Sequence, residues 1–289
     1  MEPASNLYQA ILARRSVRRY AEEPLDPESL AQLQTITSQV KPLVPGNRFE
    51  VLVRDVAVGE NLVETLGGYG RIVSPPHYLV PYGVGGTHLL TDLGYRVEQI
   101  AVRLAGLGVG SCFIASLGRE DVVRARFGLP GAACVGAFLI FGYPATSLSG
   151  RAFNATVRRA VGATNKLPAE RIFFHETFGH PTAPPEHLAR IMEAARNAPS
   201  AANAQPWRFL WCDGTLFLFI QRHSRRYGAR LKAYRFFDGG ICMGNVALAL
   251  EALGTTGRWQ LLADTGPDLP DHPADLQPLA KLLFDKSRT

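Results

Sequence analysis

Cysteine is scarce in this chain, and none of it is spaced for chemistry. The four cysteines are Cys112, Cys134, Cys212 and Cys242. No two form a Cys-x-x-Cys pair, which sets aside a zinc site and a redox dithiol. Each lies among apolar neighbours, as a buried reduced thiol does. Long apolar runs are missing too: no stretch approaches the ~18 residues that a membrane span requires. The opening MEPASNLYQAILARRS lacks the apolar core and small-residue cleavage site of a secretory signal. Its twin arginines are followed by AEEPLDPE and not by an apolar stretch, so an export signal is not expected and a cytoplasmic location is. Acidic residues fall short of basic ones, 25 against 31, for a net charge of +6. The basic surplus comes without a helix-turn-helix, a zinc finger or an aromatic-basic platform, so nucleic-acid binding is the weaker reading. An enzyme with phosphate-bearing ligands is the stronger one. The densest basic group, Arg222, Arg225, Arg226, Arg230, Lys232 and Arg235, has no acid among it. It reads either as a solvated face or as a field for an anionic ligand.

What is present is ordinary globular material, 46% apolar and 19% charged over 289 residues. It is arranged twice. TDLGYRVEQIAVRLAGLGVGSCFI from Thr91 resembles FDGGICMGNVALALEALGTTGRWQLL from Phe237. Laying Asp92 on Asp238 brings Gly94 onto Gly240, Ala101 onto Ala247 and Gly108 onto Gly254. Both read as long helices stopped by glycine and followed by a strand. Upstream, LDPESLAQLQTI from Leu25 resembles PPEHLARIMEAA from Pro184, two Pro-Glu helix starts. Each leads to a strand-like run, FEVLVRD from Phe49 and RFLWC from Arg208. Helix, strand, long helix and strand thus occur twice in one order, which is a duplication and not a solenoid. The join is expected near residues 145–170, a Gly, Ser, Thr and Asn-rich stretch without clear periodicity. The halves are drawn as 1–165 and 166–289. The first is expected to hold more strand, because VGAFLIFGYP reads as a buried strand while DTGPDLPDHPADLQPLAKLLFD reads as proline-rich and then helical.

Two motifs carry chemistry. If the chain is extended around Leu12–Tyr20, then Arg14, Ser16 and Arg18 share one face. Two guanidinium forks and a hydroxyl then suit a phosphate. If it is helical, only Arg14 and Arg18 align. The second motif is Pro199-Ser200-Ala201-Ala202-Asn203-Ala204-Gln205-Pro206-Trp207, between an amphipathic helix and a strand. Its prolines and small residues allow a flat ring to approach. Ser200, Asn203 and Gln205 offer donors and acceptors to the polar edge of a heterocycle.

Arg-Arg-Ser-x-Arg, Pro-Ser-x-x-Asn-x-Gln-Pro-Trp and a long helix ending Leu-Gly-x-Gly-Ser together resemble the FMN-dependent nitroreductase superfamily, over nearly the whole chain. Ordinary members of that superfamily are homodimers with FMN at the subunit interface. This chain resembles tandem members, in which one chain mimics the dimer. The resemblance implies an α+β fold of two degenerate helix-and-sheet halves packed as an intramolecular pseudodimer. It implies that Arg14, Ser16 and Arg18 hold the phosphate and ribityl chain, and that Lys166 closes on the phosphate. Pro199, Ser200 and Asn203 would contact the isoalloxazine ring. Ala115 and Ser116 would stand where relatives aim backbone N–H groups at the flavin, although many relatives have Glu-Gly or Gly-Gly there. The implied activity passes hydride from NAD(P)H through FMN to a small acceptor such as a nitroaromatic or a quinone. Flavin-dependent dehydrogenation or other specialised flavin chemistry is the alternative. The cofactor carries the redox step, so no catalytic side chain is nominated.

The departures are complementary. Where the second half would carry a phosphate motif it reads Phe173-Phe174-His175-Glu176-Thr177-Phe178, which would repel phosphate. Where the first half would carry the ring loop, residues 42–49 lack Ser, Gln and Trp. One half keeps the phosphate motif and the other keeps the ring loop, the pattern that retention of one composite site produces. One FMN per chain follows, and a monomer is expected. His175, Glu176 and His180 do not make a zinc-protease motif: histidines five apart point ~140° away from each other on a helix. No metal site is expected. Gly83-Val84-Gly85-Gly86 reads as a turn, and Trp207, Trp211 and Trp259 read as core.

Overall fold

Asp26 and Pro27 start a helix as the sequence leads one to expect: the Asp26 carboxylate accepts the Ser29 N–H at 2.8 Å. In the computed structural model, which describes residues 3–285 apart from 161, 163, 181, 228–231 and 268, the elements follow in this order. The first half contains α1 (Pro3–Ala13), α2 (Pro27–Ser38), β1 (Arg48–Asp55), α3 (Leu62–Leu66), β2 (His77–Val84), α4 (Leu89–Gly106), β3 (Gly110–Ala115), α5 (Glu120–Phe127) and β4 (Ala137–Gly142). After α6 (Leu148–Ala160) come β5 (Phe173–His175), α7 (Glu186–Asn197), β6 (Trp207–Cys212), β7 (Thr215–Gln221), α8 (Tyr234–Leu253), β8 (Gly257–Leu261) and β9 (Leu276–Phe284).

The duplication is visible in the strand order. The first sheet runs β1-β2-β4-β3 and the second β5-β6-β7-β9-β8. Matching β1 with β6, β2 with β7, β3 with β8 and β4 with β9 gives one antiparallel topology twice, with β5 added parallel to β6. The first half is therefore not the richer in strand. Residues 276–284, expected to be helical, form a strand paired on both sides, to β7 and to β8. Pro278 stands at the register shift beside Phe219, where a bulge needs no proline N–H. Burial between two partners outweighs the local signal there. The join also differs from expectation. Its half-buried positions Gly150, Phe153, Asn154, Val157 and Arg158 recur at helical spacing and make one face of α6. That face is partly polar, so an apolar count misses it.

The halves meet along α4 and α8. Added Cβ atoms show how closely. At Gly94 one would collide with the Phe237 carbonyl oxygen, and at Gly240 with that of Thr91. Thr91 and Phe237 are themselves equivalent in the two copies, so the crossing obeys the pseudo-twofold. α8 has the length and composition of a membrane span, with a mean hydropathy of 1.3, which corrects the expectation that no run comes near; 72% of that window is buried inside the fold. α1 lies across both halves, its Tyr8 and Ile11 packing with Val102 of α4, Ala194 of α7 and Leu248 of α8.

Candidate functional site

The site begins where α1 ends. Asn197, the last residue of α7, donates from Nδ2 to the Ile11 and Leu12 carbonyls at 3.1 and 3.0 Å. A residue of the second half thus satisfies two terminal carbonyls of a first-half helix. The chain then runs extended. Ser16 bridges to Ser111, and the Val17 N–H donates to the Ser111 carbonyl at 2.9 Å. Asn154 of α6 accepts the Arg18 and Arg19 N–H groups at 2.9 and 3.0 Å and donates back to the Arg19 carbonyl at 3.0 Å. Of the two conformations the sequence left open, the structure has the extended one.

Arg14, Ser16 and Arg18 line a cavity of about 570 Å³ between the halves, together with Ala115, Lys166, Pro199, Ser200 and Asn203. That volume lies within the usual range of ligand sites. Arg14 and Arg18 are only 6% and 8% exposed, and Nε and Nη1 of each have no hydrogen-bond partner among the described residues. Burying two guanidinium charges is costly; Glu98 offsets part of that at Arg14, and an oxyanion in the cavity would offset the rest. Arg15, Arg158 and Arg226 also line it, and Asp238 is the one acid among the described lining residues.

Glu98 of α4, completely buried, lies behind Arg14 with 3.4 Å between its Oε1 and Arg14 Nε. Burial pushes its carboxyl up to about 7, against the pull of Arg14 and Lys166. Lys166 is pushed the other way, down to about 7, first by burial and then by Arg14, with Glu98 opposing. Its Nζ donates to the Asn197 and Ala198 carbonyls at 3.3 and 2.6 Å, so it closes the C-terminal end of α7 while facing the cavity.

The second-half loop is strained: Ala202, Asn203 and Gln205 have φ of 50°, 51° and 48°. Its polar side chains do not all point where the sequence suggested. Asn203 donates to the Gly162 and Asn165 carbonyls at 2.6 and 3.0 Å. Gln205 accepts the Leu167 N–H at 2.9 Å and donates to the Asn165 carbonyl at 3.0 Å. Ser200 Oγ accepts the Gln205 N–H at 2.9 Å. Asn203 and Gln205 thus clamp the segment joining the halves, because buried amides take backbone partners where they find them, while Ser200 braces the loop itself. Ser116 is a clearer correction. It is fully buried, its hydroxyl donates to the Val135 carbonyl, and its N–H donates to the Gly136 carbonyl at 3.3 Å. The sheet edge uses that N–H, and Ser116 does not line the cavity, whereas Ala115 does.

Phe113, Ala137, Phe237 and Ile241 form an apolar wall, with Phe113 and Phe237 edge to face at 6.0 Å. The cavity therefore has cations at one end and apolar surface beside them, a donor set that fits a phosphate-bearing aromatic cofactor. Where the second half would carry a phosphate motif, Phe173 is fully buried in the apolar core. Of the basic 222–235 group, Arg226 reaches the cavity and binds the Ala202 and Asn203 carbonyls at 3.1 and 3.2 Å. Arg222 pairs with Asp264 at its surface, and Arg230 lies outside the described residues. Sequence reasoning missed Asn154, Asn197, Glu98 and Asp238. A carboxylate within a largely apolar helix was the available signal for Asp238.

The sequence profile of the family described as "Putative TM nitroreductase" matches residues 6–227. A crystal structure described as a "putative nitroreductase", from Thermotoga maritima, aligns with 98% of this chain and 96% of its own, at 18% identity and a TM-score of 0.58. Half-chain likenesses have lower scores. An FMN-dependent nitroreductase from Clostridium difficile covers 48% of this chain and 86% of its own, at 19% identity and a TM-score of 0.40. A Parabacteroides distasonis protein described as a "Putative NADH dehydrogenase/NAD(P)H nitroreductase" covers 49% and 88%, at 18% and 0.42. On the profile match, which spans well over half of the sequence, this chain belongs to the nitroreductase family in its single-chain tandem form.

Proposed function

We propose that this chain is an oxidoreductase that binds one FMN in the cavity between its halves and passes hydride from NAD(P)H to a small acceptor such as a nitroaromatic or a quinone. The observation that carries this reading is the pair of buried guanidinium groups, Arg14 and Arg18, lining a cavity that also has an apolar wall. A phosphate carries about −1.5 to −2 charges at neutral pH, and these forks would meet it together with Ser16. Phe237, Ile241 and the strained loop after Pro199 would hold the ring and keep bulk water from its buried side. The bound flavin would supply the hydride chemistry. Lys166, Asn203 and Gln205 tie the joining segment to that loop and the end of α7, so the first half's phosphate end and the second half's ring end would keep a fixed spacing. The donor and the acceptor would use the cavity in turn.

Flavin per chain, measured after saturation and desalting and combined with mass by light scattering, tests the reading. One FMN on a monomeric chain is expected. Two per chain would overturn the composite site, none would overturn the cofactor, and flavin lost on dilution to monomer would overturn the single-chain form.

A further inference from the structure

The long helices place equivalent carboxylates, Asp92 and Asp238, each at the foot of a helix and each gripping the loop that precedes an equivalent strand, β1 in one half and β6 in the other. Asp92 accepts the Leu43 and Val44 N–H groups at 2.8 and 3.1 Å and two contacts from Arg96 Nε at 3.1 and 3.0 Å. It is a buried anion with a cation attached, the arrangement a buried charge requires. Asp238 accepts the Ala201 N–H at 3.0 Å and the Tyr227 hydroxyl at 2.7 Å. The residue one helical turn on, equivalent to Arg96, is Cys242. The chain therefore contains its own control. Both carboxylates anchor a loop, yet the one on the cavity wall is without the arginine and is only 1% exposed. Loop anchoring alone does not explain the difference, because Asp92 does the same work while neutralised.

Resting on the proposed oxidoreductase reading, we propose that Asp238 is the proton donor of this site. The overall reaction, NAD(P)H plus one proton plus acceptor to NAD(P)+ plus reduced acceptor, moves both electrons with the hydride and needs one proton per turnover. Asp238 would give up its carboxyl proton as a new O–H or N–H bond forms on the acceptor. The carboxylate left behind would then take a proton from solvent at the cavity mouth. The groups that face Asp238 are Tyr227 and Tyr234, Cys242 on its own helix, and Lys166 across the cavity. Burial holds the Asp238 carboxyl up to about 7, opposed by the Tyr227 hydroxyl, the Ala201 N–H and Lys166. That is near the ideal value for a donor at neutral pH.

Asp238→Asn keeps a carbonyl oxygen for Ala201 and Tyr227 but carries no transferable proton. With the holoenzyme, kcat should fall about a hundredfold, while FMN affinity stays within about threefold of wild type. The wild-type rate should decline as pH rises past about 7, and that limb should vanish in the variant; Asp238→Glu should restore part of the rate. In the flavin-free protein, carboxyl-labelled aspartate NMR should show one buried carboxyl that titrates near neutrality and is absent in Asp238→Asn. If Asp238→Asn fails to fold, Tyr227→Phe serves instead. It removes a donor to the charged form, so the limb should move to higher pH. An unchanged kcat and pH profile in either folded variant would make Asp238 a loop anchor only and overturn the proposal. A wild type that takes up no flavin would sink the parent reading, and the NMR titration would register that case separately.

Discussion

A methyl group at position 240 tests the packing of the two halves. Gly240→Ala would place a Cβ against the Thr91 carbonyl carbon and oxygen, with the Tyr95 nitrogen 2.9 Å away. These are backbone atoms of a helix packed on its other sides, so no side chain can swing aside. Overpacking a tight core costs about 1–3 kcal/mol, and the rigid neighbours put this position at the upper end, about 3 kcal/mol. For a chain of this size, that corresponds to a fall in Tm of about 6–12 °C. Gly94→Ala should cost a similar amount, since its Cβ meets the Phe237 carbonyl in the mirrored arrangement. The double variant should lose less than the sum, because helices already forced apart accept the second methyl more easily. Gly86→Ala, with nothing within 4 Å of the added atom, is the control. Urea and thermal unfolding measure all four proteins. A loss below about 1 kcal/mol for Gly240→Ala, or strict additivity of the pair, would refute the close crossing.

Arg14→Ala should weaken FMN binding about ten- to a hundredfold, the loss of a hydrogen bond to a charged group, whereas the exposed Arg225→Ala should leave it nearly unchanged; equal affinities in a titration of the apoprotein would remove the phosphate assignment. Glu98 and Asp238 are both raised from ordinary carboxylate values to about 7, so the folded apoprotein binds more protons than the unfolded chain, and its stability should fall as pH rises from about 4 to 7. Glu98→Gln should flatten that slope in urea unfolding. Lys166, lowered from 10.5 to about 7, should add stability as pH rises between those values. Steady-state kinetics with NAD(P)H and an acceptor should give parallel double-reciprocal lines, and intersecting lines would refute alternate use of one cavity.

The long helices, their glycine stops and the duplication were legible because period and punctuation survive in each copy alone. The extended Arg14–Arg18 segment was half legible. Its residue types pointed to an anion, but the choice of an extended chain rests on Ser111 and Asn154, both far away in sequence. β9 was illegible for a similar reason, since its two partners override a proline and a mixed pattern. Gln205 looked like a ligand contact, and the Asn203 amide binds backbone carbonyls although Asn203 lines the cavity, because composition cannot say whether an amide meets a cofactor or a neighbouring carbonyl. Glu98 was invisible as a site residue until the helix crossing buried it beside Arg14.

The joining segment lines the cavity through Arg158, Thr164 and Lys166, and it makes the two walls parts of one molecule. In an assembly of two identical chains, every substitution appears on both sides of the symmetry axis. Here a mutation alters one wall once. The cation-bearing half and the ring-bearing half can drift separately, and a change that would spoil one role need not be tested against the other. Arg96 and Cys242 are already of that kind: equivalent positions in the two copies that hold different chemistry, a cation gripping its carboxylate in one and a buried thiol in the other.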